Sequence, residues 1–266
     1  MAVPKDPEYL STLERGLKVL RAFDASRPEM ALVDVAAATG LSPAVARRCL
    51  KTLVSLGYIR QDGRRFLLTP EVLAFGSAYL SSMNIETVAV PPLQALSAQT
   101  GDSVSLAVRS GREILYVVHI PSNRRIRIGA GVGTRFPLSA TSMGKVLLAF
   151  QGEAAIEAFL AEAPLPRLTE RTISDADGFR ARLKSVVDRR YDSALDELDY
   201  GIVSVAVPLF DATGKVVAAI NCSTSTTRIS QDELVRTRLP LLQAAAGAIA
   251  AELRRFPKLA RSLQGA

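Results

Sequence analysis

The sequence predicts an α+β protein of two domains, an N-terminal winged helix-turn-helix followed by a larger domain of β-hairpins and helices. Two short helical segments, joined by a turn that contains Gly40 and followed by a basic hairpin, predict the first domain. Two further hairpins with helices around them predict the second domain. The chain has 266 residues, 48% of them hydrophobic, which is enough for two cores.

The first two helices are indicated by their caps and by apolar spacing. Residues 11–23 are expected to form the first helix, because Ser11 and Glu14 have the spacing of a capping box and apolar residues recur on one face. A second, short helix is expected over residues 32–39. Gly40 is expected to end it, since glycine tolerates the left-handed conformation that is common after helices.

A third helix is expected over residues 43–56, with Ser42 as its N-cap and Pro43 at its first position. One face is apolar and is expected to pack on the first two helices. The opposite face carries one small and three basic residues, Ala44, Arg47, Arg48 and Lys51. A recognition helix needs this division, because its free side must offer long donors to bases and phosphates. The alternative is an ordinary solvent-exposed face that is basic.

A hairpin is expected over residues 58–68, since Asp62-Gly63 is a strong turn signal between β-prone residues. Arg64 and Arg65 then lie at the tip, where a wing contacts neighbouring phosphates. The net charge of +7 agrees with an anionic partner. The predicted contacts to double-stranded operator DNA are Ser42, Ala44, Arg47, Arg48, Lys51, Arg60, Arg64 and Arg65.

The chain downstream of the hairpin is expected to begin with a connector helix, opened by Thr69 and Pro70. The expected organisation is a DNA-binding domain over residues 1–68, a connector helix over 69–83 and an effector-binding domain over 84–266. Pro91 and Pro92 should interrupt the helix that follows the connector. Further helices are expected over residues 142–150, 153–162, 175–190 and 230–255, and hairpin strands over 104–108 with 114–120 and 203–209 with 215–222.

Composition argues against several classes of protein. With Cys49, Cys222 and the single His119, the chain has too few ligands of the usual kinds for a zinc site, so neither a metal nor a cofactor is expected. The N-terminal residues lack the apolar segment of a signal peptide. No uncharged apolar run approaches the roughly 20 residues of a membrane span. We therefore expect a cytoplasmic protein with no membrane partner.

Motifs that could indicate an enzyme fail on their spacing. The glycines of residues 129–133 do not have the spacing of a dinucleotide-binding loop. Before Lys145, Ser139 stands where a phosphate-binding loop requires glycine, and Val146 follows where Ser or Thr is required. No nucleophile-elbow pattern surrounds a serine. The protein is therefore not expected to be an enzyme, and a DNA-binding architectural protein without a ligand is the other alternative.

Four segments resemble the IclR family of bacterial regulators: STLERGLKVLRAF (11–23), LVDVAAATGLSPAVARRCLKTLVSLGYI (32–59), ATSMGKVLLA (140–149) and DYGIVSVAVPLFDATGKVVAAINCS (199–223). The SPAVARRCLKTL stretch is most similar to the regulators of aromatic-acid breakdown, the β-ketoadipate branch. The resemblance implies a GAF-like effector-binding domain with a curved antiparallel sheet. It also implies a small-molecule effector and a homodimer or a dimer-of-dimers tetramer.

The resemblance places the effector near the glycine-rich loop and the start of the SMGK helix. No acidic residue occurs between Glu113 and Glu153, whereas this stretch holds Arg124, Arg125, Arg127, Arg135 and Lys145. This charge pattern favours an anionic ligand, although any one of these arginines could instead face solvent. On a strand, at most one of Cys222 and Ser223 should point inward. The predicted effector-binding residues are His119, Gly131, Arg135, Thr141, Ser142, Met143, Cys222 and Ser223.

Overall fold

The computed structural model describes residues 8–82, 84–122 and 130–263. The chain divides into two compact units, Met1–Tyr79 and Leu80–Ala266. The division falls within the segment that we expected to form a connector helix. Each unit has its own sheet, so the prediction of an α+β architecture is confirmed.

The first unit has the elements of a winged helix-turn-helix. Its helices are α1 (Ser11–Leu20), α2 (Leu32–Thr39) and α3 (Pro43–Ser55), and its strands are β1 (Glu29–Ala31), β2 (Ile59–Asp62) and β3 (Arg65–Leu68). The strands form an antiparallel sheet in the order β1-β3-β2. Gly40 has a φ of 65° and ends α2 in the left-handed region, as predicted. Val19, Met30 and Leu50 are among the buried residues of its core.

The predicted cap and end of the first helix were wrong. Ser11 is the first residue of α1, and Leu10 occupies the cap position without a side-chain hydrogen bond. The helix stops at Leu20 because a tight turn follows, in which Asp24 Oδ1 accepts hydrogen bonds from the backbone N–H groups of Ser26 (2.9 Å) and Arg27 (3.0 Å).

The connector is not one regular helix. A 3-10 turn, Pro70–Val72, comes first, and α4 (Leu73–Ser82) follows it. Thr69 caps the turn by accepting a hydrogen bond from the N–H of Glu71. In α4, Phe75 stacks on Tyr58 of the winged domain, with ring centroids 5.3 Å apart.

The second unit is built on a six-stranded antiparallel sheet in the order β6-β5-β4-β9-β8-β7. The strands are β4 (Ser103–Ser110), β5 (Glu113–Ile120), β6 (Arg135–Pro137), β7 (Asp192–Leu195), β8 (Ile202–Phe210) and β9 (Val216–Ser225). The helices are α5 (Ile85–Val88), α6 (Val90–Thr100), α7 (Ser142–Ala149), α8 (Glu153–Glu162), α9 (Ala176–Arg189), α10 (Gln231–Leu253) and α11 (Pro257–Leu263). Helices α7 and α10 both pack on the central strands β8 and β9.

Both expected hairpins and most of the expected helices occur. The two prolines at 91 and 92 separate α5 from α6 and stand in the first turn of α6, where their missing N–H groups cost nothing. Three short strands (β1, β6 and β7) and α11 carry too few residues to give a periodic pattern, and the sequence did not predict them. Within the described residues, no helix has the length and apolar character needed to cross a membrane.

Candidate nucleic-acid interface and effector cavity

Helix α3 separates an apolar face from a basic one. Its N-terminus is fixed by Ser42, whose hydroxyl accepts a hydrogen bond from the N–H of Val45 at 3.4 Å. Ala46, Cys49, Leu50 and Leu53 are buried on the inner face. The opposite face leaves Ala44, Arg47, Arg48 and Lys51 exposed. None of these three basic side chains is ion-paired with a described residue, so their charges are available to a polyanion.

The hairpin turn lies one residue later than the sequence indicated. Gly63 and Arg64 are the central residues, because Asp62 still pairs with Arg65 in the ladder. Gly63 has a φ of 56° at the first central position, the arrangement that a type II′ turn uses. Only Arg64 therefore sits at the tip. Arg65 lies in β3 with its guanidinium 3.5 Å from Glu29, and Arg60 is exposed on β2.

A small cavity lies between the sheet and the N-terminus of α7, with about 40 Å³ of free space. Strand pairing builds its floor from two rows of side chains. One row runs from His119 through Ser105 to Asn221, and the other from Ser103 through Ser223 and Ser204 to Ala194. Residues two apart on one strand share a face, which brings these polar groups together. Tyr116, Phe136 and Met143 add apolar surface to the lining.

Helix α7 closes the cavity with its first turn. Thr141 caps it by accepting a hydrogen bond from the N–H of Gly144 at 3.1 Å, and Ser142 and Met143 also line the cavity. All eight residues of α7 are buried. Gly144 permits this depth, since a Cβ there would overlap the carbonyl oxygen of Leu138. The free N–H groups and the positive end of the helix dipole therefore face the cavity.

The polar side chains of the floor are mostly paired. Ser105 Oγ lies 2.9 Å from His119 Nδ1, and Ser142 Oγ lies 2.8 Å from Ser204 Oγ. Burial lowers the pKa of His119, so its imidazole is neutral near pH 7. Burial also raises the pKa of Tyr116 to about 12, which keeps its hydroxyl protonated. Asn221 differs from these groups, because its Oδ1 is buried without a hydrogen-bond partner among the described residues.

Lys145 belongs to a buried ion network. Its side chain is 0% exposed, and its Nζ lies 2.7 Å from Glu197 and 3.5 Å from Asp192. Asp192 is also 2.6 Å from Arg182. Burial raises the pKa of Glu197, and the charge of Lys145 acts in the opposite direction. The stretch that is free of acidic residues in sequence is therefore not free of them in space.

The two units match the two parts of one known family. Residues 12–63 match the IclR helix-turn-helix domain, and residues 77–251 match the description "Bacterial transcriptional regulator IclR C-terminal". The chain belongs to the IclR family of bacterial transcriptional regulators. Its helix-turn-helix is accordingly a DNA-binding domain.

Several IclR-family proteins are similar over most of the chain. The Pca regulon regulatory protein of Pseudomonas putida is 37% identical, over 90% of this chain and 83% of that protein. The p-hydroxybenzoate hydroxylase transcriptional activator of Acinetobacter baylyi is 38% identical, over 89% of each. Among solved structures, one is a complex of 3-hydroxybenzoic acid with a double mutant of the PobR inducer-binding domain from Acinetobacter. That domain is 34% identical to this chain, and the match covers 63% of this chain and 96% of the domain, with a TM-score of 0.58.

The structure of this IclR-family regulator brings five of the eight predicted effector residues to one cavity: His119, Thr141, Ser142, Met143 and Ser223. Gly131 does not line it. Arg135 is at the sheet edge, where it donates to Ser110 (3.0 Å) and Glu113 (3.3 Å). The other three arginines of the basic stretch, at 124, 125 and 127, lie outside the described residues.

Cys222 does not reach the cavity either. It alternates with the cavity residue Ser223 and lies on the opposite face of the sheet. That face is turned towards Asp102, which precedes β4, and towards Arg238 in α10. Its thiol is fully buried, and burial, together with the charge of Asp102, raises its pKa to about 12. The thiol is therefore protonated and unreactive.

Sequence reasoning missed Ser103, Ser105, Tyr116, Glu197 and Asn221. Each is separated in sequence from the glycine-rich loop. Strand register carries the four strand residues to the cavity, and the loop after β7 carries Glu197 there. The alternation of small polar residues in β4 and β9 was a usable signal for Ser103, Ser105 and Asn221. In the part of the chain that is described, no cluster of His, Cys, Asp and Glu residues could hold a metal ion.

Proposed function

We propose that this regulator binds operator DNA with an affinity that a small carboxylate controls, the ligand being an aromatic acid or a product of its breakdown. The observation that carries this proposal is the cavity, where the N-terminus of a buried helix meets aromatic side chains and a polar sheet floor. The names of the similar Pca and p-hydroxybenzoate regulators support the same ligand class. A bacterial regulator of this kind acts in the cytoplasm.

The carboxylate is expected to accept hydrogen bonds at the start of α7. No arginine or lysine lines the cavity within the described residues, so the backbone N–H groups of Ser142 and Met143 are the strongest donors for an anion. Tyr116 and Phe136, whose rings meet edge to face with centroids 5.5 Å apart, supply the surface for an aromatic ring. The ligand is therefore recognised by a helix end and by ring stacking.

Ligand binding requires the cavity to expand. Its free space of about 40 Å³ is well below the roughly 300 Å³ at which ligand pockets begin. The side chains between α7 and the sheet must therefore repack when the ligand enters. Such repacking distinguishes two states of the domain, and a ligand that binds one of them better shifts the population.

The proposed DNA-binding surface consists of α3 and the wing, within a DNA-binding domain of residues 1–68. A connector over 69–83 and the effector-binding domain over 84–266 follow it in the chain. Arg47, Arg48 and Lys51 would enter the major groove with Ala44, and Ser42 would contact the backbone at the helix start. Arg60, Arg64 and Arg65 would contact phosphates beside the groove.

Homo-oligomerisation is part of the proposal. Leu10 at the cap of α1 and Leu13 and Leu17 within it recur at helical spacing, and they are 69%, 60% and 47% exposed. An apolar stripe of this kind on a monomer favours association, and two-fold operators are commonly read by dimers. Light scattering of the full chain at micromolar concentration should give a dimer or a tetramer, and a monomer would contradict this part of the proposal.

The ligand proposal is tested by calorimetry and by gel shift with the full chain. Benzoates and β-ketoadipate are titrated beside matched neutral amides, and operator affinity is measured with and without each acid. We expect at least one acid to bind, its amide not to bind, and the bound acid to change operator affinity about 5- to 150-fold. Binding by amides alone would overturn the anion site, and operator binding that no acid alters would favour an architectural protein.

A further inference from the structure

We infer that the cavity selects a hydroxylated aromatic acid with one carboxylate. In this inference, Asn221 accepts a hydrogen bond from the ligand's hydroxyl, and the charge of Glu197 excludes a second carboxylate. This inference rests on the proposed function and narrows its ligand class. The inference is supported by two side chains of the cavity that are not part of the proposed carboxylate site. They lie on different elements, Asn221 in β9 and Glu197 in the loop after β7.

Asn221 presents a hydrogen-bond acceptor that nothing in the described protein satisfies. Its side chain is 4% exposed and lines the cavity floor beside Ser105, its partner on β4. The Asn221 amide acts to lower the pKa of the Tyr116 hydroxyl, which is the effect of a donor, so its nitrogen faces Tyr116. Its Oδ1 is then left without a hydrogen-bond partner among the described residues.

A buried carbonyl oxygen without a donor is unfavourable, and a ligand group that supplies the donor recovers this loss. A ring hydroxyl can donate, whereas a methoxy group and a bare ring carbon cannot. The neighbouring polar groups are committed elsewhere, since Ser105 is bonded to His119 and Ser142 to Ser204. Asn221 is therefore the side chain that discriminates a ligand with a hydroxyl from one without it.

Glu197 gives the cavity a negative side chain. It is the only acidic residue of the described lining, and it is 6% exposed. Its partner Lys145 also faces Asp192, and Arg182 lies 2.6 Å from Asp192 and 3.9 Å from Glu197, so these two cations are already paired with these two carboxylates. A second carboxylate on the ligand would enter a site with no free cation among the described residues and would be repelled by Glu197. The cavity therefore excludes diacids, including β-ketoadipate.

The first test uses the wild-type full chain and a series of ligands by calorimetry: 3- and 4-hydroxybenzoate, benzoate, 4-methoxybenzoate and terephthalate. We expect one hydroxybenzoate to bind at least about tenfold more tightly than benzoate and 4-methoxybenzoate, and terephthalate to bind more weakly still. Equal binding of benzoate and both hydroxybenzoates, or tight binding of terephthalate, would overturn this inference and leave the proposed function intact. Failure of every acid in the series to bind would overturn the proposed function for aromatic acids.

Two variants assign the selectivity to its residues. Asn221→Leu should still bind benzoate, and its preference for the hydroxybenzoate should fall to within about twofold, because the acceptor is gone. Glu197→Gln should bind terephthalate about tenfold more tightly than wild type does, since it removes the negative charge from the cavity wall while Lys145 keeps Asp192 as its partner at 3.5 Å. Circular dichroism melting checks that each variant is folded. An unchanged preference in folded Asn221→Leu would contradict the role of Asn221, and the wild-type ligand series remains decisive if a variant does not fold.

Discussion

Helices α3 and α7 begin with the same kind of cap but lie in opposite environments. Each has a hydroxyl cap, Ser42 or Thr141, and each comes from a stretch rich in basic residues. Helix α3 leaves one whole face in solvent, with three cations free of ion pairs to described residues. Helix α7 is buried at all eight positions, and its Lys145 is held between two carboxylates.

The difference shows what each helix can offer to a ligand. A half-buried helix offers a side face, which suits a groove in DNA. A helix buried all around offers only its end, so α7 can present N–H groups to a small anion but cannot present its lysine. Positive charge therefore has two roles in this protein, interaction with a polyanion in α3 and internal neutralisation in α7.

The largest expected effect comes from removing the buried cation of α7. Lys145→Met removes the cation 2.7 Å from Glu197, leaves only Arg182 at 3.9 Å, and should lower the free energy of unfolding by about 3–5 kcal/mol. Urea unfolding of the full chain measures it. Lys184→Met, at an exposed position of α9, is the matched control and should change stability by less than about 0.5 kcal/mol. If Lys145→Met and wild type have equal stability, the ion pair contributes no more to the folded state than the cost of burying the lysine charge, which would contradict this prediction.

The close approach of α7 to its neighbours can be tested at Gly144. A methyl group there would overlap the Leu138 carbonyl, so Gly144→Ala should destabilise the protein by about 1–3 kcal/mol. Gly247→Ala in α10 is the control, since its Cβ would meet open space. That substitution should stabilise the helix by about 0.5–1 kcal/mol. If both substitutions stabilise the protein in thermal unfolding, α7 is less tightly packed than described.

The exposed face of α3 should respond in the opposite way, with a loss of binding and little loss of stability. Arg47→Ala or Arg48→Ala should weaken operator binding by about 1–3 kcal/mol if the side chain contacts a base. The unfolding free energy should stay within about 0.5 kcal/mol of wild type, because both side chains are exposed. Gel-shift titration on operator and on unrelated DNA separates base from phosphate contacts. Unchanged affinity in both variants would remove this face from the interface.

The smallest expected effect is at the wing. Arg64→Ala should reduce the slope of log K against log salt by about 0.9, the value for one phosphate contact. Arg65→Ala should reduce it less, because Arg65 already lies 3.5 Å from Glu29. Binding measured at several salt concentrations gives both slopes. A slope that neither substitution alters would indicate that the wing does not contact DNA.

The sequence determined the parts of this protein that depend on local interactions. Helix α2 and its glycine stop, the Ser42 cap of α3 and its amphipathic face, and the main hairpins follow from residues a few positions apart. The DNA-binding unit could therefore be predicted almost completely, down to the residues that are exposed. The exceptions are the three-residue strand β1, which pairs with the distant β3, and two element ends, the cap of α1 and the one-residue shift of the wing turn, where nearby residues compete for the same position.

Only the tertiary structure decided the effector cavity. Asn221 and His119 are about a hundred positions apart in sequence, yet strand pairing through Ser105 places both in one row. Lys145 lies in a sequence without acids, and β7 with its following loop brings two carboxylates to it. The alternation of Cys222 and Ser223 was readable, but which of them faced the cavity depended on which helix covers each face. Register and layer packing join residues across long stretches of chain, and a local pattern carries no information about them.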